Sequence, residues 1–192
     1  MLSTSEIARG TEGSLRFLRR DPSAPYYFEN SFAACLRSFR VMLLAAPLYA
    51  FYLLFHYSEV AAQADEVEII FVEALHYVVD WLLFPVIFYE IARHRGWLEQ
   101  YPRYIAALNW INLPEIALML LAKLVMLVLP QVGAFLEFAL QALFFYWFLT
   151  VSRMSLAIGW LFAILLLVVY FVPSLFLSLI VDRFLGIMPL AG

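Results

Sequence analysis

The sequence predicts an all-α integral membrane protein: a bundle of about five transmembrane helices behind an N-terminal amphipathic interfacial helix, N-terminus in and C-terminus out. Three observations lead there. The 192 residues are 65% hydrophobic and only 14% charged, with mean hydropathy +0.87, whereas soluble domains are ~45–50% apolar and ~25% charged. Five apolar stretches approach the ~20 residues a membrane-crossing helix needs. Arginines gather in alternate connecting segments, as positive-inside topology requires. In water this chain would expose a large apolar surface, so the bilayer is its expected solvent. A net charge of −3 and a pI near 5.6 argue against a nucleic-acid partner and leave lipid, other membrane proteins or a second copy as expected partners. Cys35 is the one cysteine, which excludes an intrachain disulfide.

Residues 1–38 form a polar arm, and residues 39–192 the membrane domain. Glu6, Arg9, Glu12, Arg16, Arg19, Arg20 and Asp21 interrupt the window in which a cleavable signal carries its apolar core, so the arm is expected to remain. Phe32, Cys35, Leu36 and Phe39 recur at i, i+3, i+4 and i+7, with Arg37 and Arg40 off that stripe. The pattern predicts an amphipathic helix on the inner leaflet. Arg16, Arg19, Arg20, Arg37 and Arg40 would then face anionic headgroups.

The spans are expected at 39–57, 69–92, 104–129, 132–151 and 155–181. Pro130 and Gln131 alone separate the third from the fourth, which predicts a tight hairpin. Arg93, Arg95 and Arg103 follow the second span and Arg153 the fourth, on the side of the basic arm; Glu59, Asp65, Glu66 and Glu68 follow the first. Pro47, Pro85, Pro114 and Pro173 interrupt four of the spans, where neighbours or water must satisfy the freed carbonyls. In the fifth, Ser155, Gly159, Ala163, Ser174 and Ser178 fall on one arc, a small-residue stripe suited to close helix packing in lipid.

Charges inside the spans are the best functional candidates, because an unpaired charge at the bilayer centre costs ~2.5–3.5 kcal/mol even on lenient scales. Glu73, Asp80, Glu115, Lys123 and Glu137 are such residues, with His76, Asn109, Asn112 and Gln141 beside them. At ~1.5 Å rise per residue, Glu73, Lys123 and Glu137 reach similar depth near the outer end. Lys123 can therefore pair with Glu137 or Glu73, and the tight hairpin favours Glu137. Asp80 and Glu115 fall near the midplane. Glu73, His76 and Asp80 share one helical face at i, i+3 and i+7, and the two mid-membrane carboxylates with the histidine could hold a proton or cation.

An enzyme is not expected. Glu73-x-x-His76 has the spacing of a carboxylate-bridged metal site, but such sites draw that motif from two helices and one copy is present. There is no phosphate-binding glycine loop, His-Glu-x-x-His or nucleophile elbow, and no cofactor or metal is expected.

Five spans behind a polar arm, short loops, and the run Arg19-Arg20-Asp21-Pro22-Ser23 leading to Phe39-Arg40 resemble the Yip1-like family of small membrane proteins, in particular bacterial and uncharacterised inner-membrane relatives. The resemblance implies the five-span architecture and no catalytic residues. The Asp-Leu-Tyr-Gly-Pro-type motif of eukaryotic members is missing, so their trafficking role does not carry over. Arginine used almost to the exclusion of lysine suits a GC-rich bacterial genome, hence a bacterial inner membrane. The leading expectation is a non-enzymatic scaffold or accessory subunit that binds other membrane proteins. The competing one is a small oligomeric proton- or cation-coupled transporter or channel built on Asp80, Glu115 and His76.

Overall fold

Seven helices account for nearly all of the chain in a computed structural model that describes residues 2–189. They are α1 (Thr4–Leu18), α2 (Phe32–Ser38), α3 (Val41–Glu59), α4 (Glu66–Arg95), α5 (Tyr101–Val128), α6 (Pro130–Leu156) and α7 (Trp160–Leu185), with a 3₁₀ turn at Ala24–Tyr27. A two-residue antiparallel ladder pairs β1 (Val60–Ala61) with β2 (Met188–Pro189). Five helical stretches, with α2 and α3 running together as one, are long and apolar enough to cross a membrane. They have 26 to 30 residues; at ~1.5 Å rise each exceeds the ~30 Å hydrocarbon layer, which leaves room for tilt.

The core is densest at the arginine-bearing end. From Tyr104 to Ile111 every residue of α5 is buried, under α1, α2, α3 and α6. Toward the opposite end large apolar side chains such as Phe71, Leu127, Phe135, Phe138 and Phe176 point outward. That is the pattern of a bundle whose outer surface is solvated by lipid.

The arm is not a lone helix lying on a surface. Its principal helix is α1, whose start is a capping box: Glu6 N–H donates to Ser3 Oγ at 3.2 Å and Ser3 N–H to Glu6 Oε2 at 2.8 Å, satisfying two otherwise orphaned donors. α1 lies across α5 and α6. At Gly10 it passes so close to the Trp110 ring that a Cβ would sit 2.2 Å from Cδ2. Ser14 gives its carbonyl to the Trp147 indole N–H at 2.8 Å, and Phe17 is fully buried beside Phe28. Arg103 Nε donates to the Phe28 carbonyl and Asn30 Nδ2 to that of Glu99, tying the arm to the α4–α5 turn. The arm thus shares one core with the spans. The expected Phe32–Phe39 stripe is split: Cys35 is buried toward α5, while Phe32 and Leu36 are exposed, because Ser38 Oγ accepts from Asn109 on α5 at 2.9 Å and turns that side of α2 inward.

The α5–α6 hairpin is as tight as Pro130 suggests, with Leu129 the single linking residue. Gly133 makes it fit, since a Cβ there would lie 2.4 Å from Met126 Cα. The fifth span starts later than expected. Ser155 belongs to the last turn of α6, Ala157 turns the chain with φ 52°, and Gly159 caps α7. Ser155 and Gly159 therefore do not share a helix with Ala163, which is itself fully buried; the expected stripe is broken by this turn.

Candidate functional site

α4 packs along α7, and α3 along α5. Between these pairs lies a cavity of about 350 Å³. Its polar lining includes Tyr49 on α3, His76 and Asp80 on α4, Asn112 and Glu115 on α5, and Tyr170 and Ser178 on α7. Side chains as far apart in sequence as Ala45 and Ser178 thus converge on one space, and Asp80 and Glu115 open into it from different helices. Among the described residues no lysine or arginine lines it.

Each polar group is held differently. Asp80 Oδ1 accepts from Ser174 Oγ of α7 at 2.5 Å. His76 spans two helices, with Nδ1 3.2 Å from Glu73 Oε2 and Nε2 3.4 Å from Ser178 Oγ. Glu73, only 5% exposed, also accepts from the hydroxyls of Tyr57 at 2.7 Å and Tyr49 at 3.0 Å. Three donors on one carboxylate satisfy it, so Glu73 anchors the histidine and leaves little capacity for a ligand. Glu115 is the opposite case: among the described residues it makes no hydrogen bond and no ion pair. Together with Asn112 it also borders a second space of about 40 Å³ toward α6, beside Gln141, large enough for a water molecule. The helical face of Glu73, His76 and Asp80 therefore divides into an anchored end and an open end.

Lys123 stands apart from this cavity. Its ammonium lies 3.2 Å from Glu137 on the facing arm of the hairpin, the partner favoured by sequence depth, and 3.2 Å from Glu59 at the end of α3. The Glu59 contact has hydrogen-bond geometry; the Glu137 contact is a charge contact only. Glu73 does not join this cluster. Two carboxylates around one buried ammonium tie α3, α5 and α6 together, and breaking such a group costs more than its formation contributes.

Of the arm's arginines Arg16 is half-buried, while Arg19, Arg20, Arg37 and Arg40 are exposed. Arg16 bridges Glu12 at 2.7 Å and Asp21 at 2.6 Å, and Arg37 reaches Glu29 at 3.1 Å. Arg20 donates to Tyr146 Oη at 2.7 Å. The Ser23 backbone N–H and hydroxyl, then Arg16, hold the Asp21 carboxyl below its ordinary range; Arg16 and Tyr27 do the same for Glu12.

Sequence reasoning placed Ser174 and Ser178 on a packing stripe, whereas both are hydrogen-bond partners of α4. It passed over Tyr49 and Tyr57, whose signal was available: aromatic hydroxyls on the span preceding Glu73, at matching depth. Among the described residues no group of three or more His, Cys, Asp or Glu side chains is arranged to hold a metal ion. Against known proteins, the chain matches no family model, and neither a curated protein nor a solved structure matches it.

Proposed function

We propose that this multi-pass membrane protein binds a proton or a small cation in the Asp80–Glu115 cavity and passes it across a bacterial inner membrane, with the arm on the cytoplasmic side and the C-terminus opposite. The observation that carries this is the convergence of two carboxylates from α4 and α5 on one cavity without, among the described residues, any lysine or arginine in its lining. Such charges are costly at membrane depth and are retained where they serve a pathway. Tyrosine hydroxyls and asparagine amides around them supply the neutral ligands that hard cations and proton relays use. The arginine-rich loops support the orientation. No enzymatic role is assigned. The Yip1-like resemblance is in keeping with this placement but rests on architecture and the lead-in segment alone. The test is flux in proteoliposomes with Asp80→Asn and Glu115→Gln combined: loss of flux at normal insertion is expected, and full flux rejects the reading.

A second reading, a non-enzymatic scaffold or accessory subunit for other membrane proteins, is favoured by the arm's outward aromatic and aliphatic side chains. Tyr26 is 70% exposed, and Phe32 and Leu36 also face outward. Purification in mild detergent with mass spectrometry separates the two: a stoichiometric membrane partner supports the scaffold, and a lone monomer or homo-oligomer counts against it.

A further inference from the structure

Where the arm meets the α6–α7 turn, a second cavity of about 370 Å³ is lined by Arg20, Pro22, Pro25, Thr150, Arg153 and Met154. Among the described residues it carries two guanidinium groups and no acid. The neighbouring Asp21 is already committed to Arg16 and Ser23. Thr150 spends its hydroxyl hydrogen on the Trp147 carbonyl, so the arginines are the donors facing this space.

Both guanidiniums lie beside Trp160, and Arg20 is held mainly by Tyr146. Arg153 stacks over Trp160 at 4.1 Å and Arg20 approaches it at 5.7 Å, while Arg20 Nε donates to Tyr146 Oη at 2.7 Å. The terminal nitrogens of Arg20 and the whole guanidinium of Arg153 are without a hydrogen-bond partner among the described residues, and Arg153 Nε is buried in that condition. A buried donor left unsatisfied is costly and calls for an acceptor. The backbone adds an independent sign. Arg20 occupies the left-handed position after α1 with φ 54°, where glycine is the usual residue. Its N–H reaches the Phe17 carbonyl and that of Asp21 the Arg16 carbonyl. A strained arginine whose side chain ends at a cavity wall points to a use for that side chain.

We propose that this cavity is a binding site for a phosphate group, taken as the headgroup of an anionic phospholipid or as a free phosphate. Two planar guanidinium forks match the paired oxygens of phosphate. Trp160, 40% exposed beside the pair, is the ring type that sits at headgroup level. The site is separate from the Asp80–Glu115 cavity and does not depend on its role.

Native mass spectrometry of the intact protein, with phosphatidylglycerol offered against phosphatidylcholine, tests it alongside thermal shifts with inorganic phosphate against chloride. Retention of phosphatidylglycerol at least tenfold over phosphatidylcholine is expected. It should be lost in Arg20→Gln/Arg153→Gln and kept in Arg19→Gln, which removes one charge outside the cavity. A shift with inorganic phosphate and no lipid preference assigns the site to free phosphate. Equal loss in Arg19→Gln, or no preference and no shift, overturns the proposal. Should the double variant fail to fold, hydrogen exchange on the unaltered protein decides. Protection by phosphatidylglycerol nanodiscs or by phosphate at residues 19–24 and 150–158 supports the site, and its absence there refutes it.

Discussion

Replacing Gly10 by alanine reverses the usual sign of that substitution. In a helix interior, Gly→Ala normally stabilises by about 0.5–1 kcal/mol, through lower backbone entropy in the unfolded chain. At Gly10 the added Cβ would lie 2.2 to 2.5 Å from three atoms of the Trp110 ring. That indole cannot swing away, because it is 6% exposed within the α5 core. Relief must come from lifting α1. Overpacking of this kind costs about 1–3 kcal/mol, and a contact as short as 2.2 Å belongs at the upper end, which leaves a net loss of up to about 2.5 kcal/mol in arm docking. A tenfold change in an equilibrium corresponds to about 1.4 kcal/mol. Hydrogen exchange of amides in Thr4–Leu18 should therefore run faster by roughly tenfold or more in Gly10→Ala, while amides in α4 and α7 are unchanged. Trp147, whose indole N–H is held by Ser14, should show the undocking as a red-shifted emission. Unchanged or slower exchange in α1 would refute the close approach of α1 to Trp110, and with it the docked arm.

Lys123→Met leaves Glu59 and Glu137 without their cation; because Glu59 is 49% and Glu137 24% exposed, the loss falls below the ~3–5 kcal/mol of a fully buried pair. A lower melting temperature in detergent is expected, partly restored by adding Glu137→Gln, and an unchanged melting temperature would contradict the cluster. The arm should also loosen in acid. Asp21 and Glu12 have carboxyls held below their ordinary range in the folded arm. Their contribution is complete above the unfolded values near pH 4 and is lost as pH falls through the lower folded values. Exchange in α1 should be flat from pH 7 to about 4.5, once corrected for intrinsic rates, and rise below that; a rise already near neutrality would point to other groups.

The spans, the hairpin and the Lys123–Glu137 contact were legible because they rest on hydropathy and on a fixed helical rise, both local properties. The docking of α1 was not, since Phe17 is the one large hydrophobe on the face it buries and Gly10, Gly13 and Ser14 carry no hydrophobic signal; Trp110 and Trp147, which meet Gly10 and Ser14, lie a hundred or more positions away. Ser3 and Glu6 did offer a capping-box spacing that marks the helix start. The cavity was half legible. Depth placed Asp80 and Glu115 near the same level, but which helices pair decides whether they share a space, and that depends on tertiary packing. Ser174 and Ser178 illustrate the same limit: spacing puts them on one face, and only the neighbour, α4, makes that face polar in function.

The central claim is that Asp80 and Glu115 form a conducting acid pair. Proton entry into pyranine-loaded proteoliposomes, and cation entry under an imposed gradient, measured for the unaltered protein and for Asp80→Asn/Glu115→Gln at matched insertion, tests it most directly. Flux in the unaltered protein that falls to the empty-vesicle rate in the double variant is the expected result. Flux equal in both proteins, or absent from the unaltered one, would contradict it.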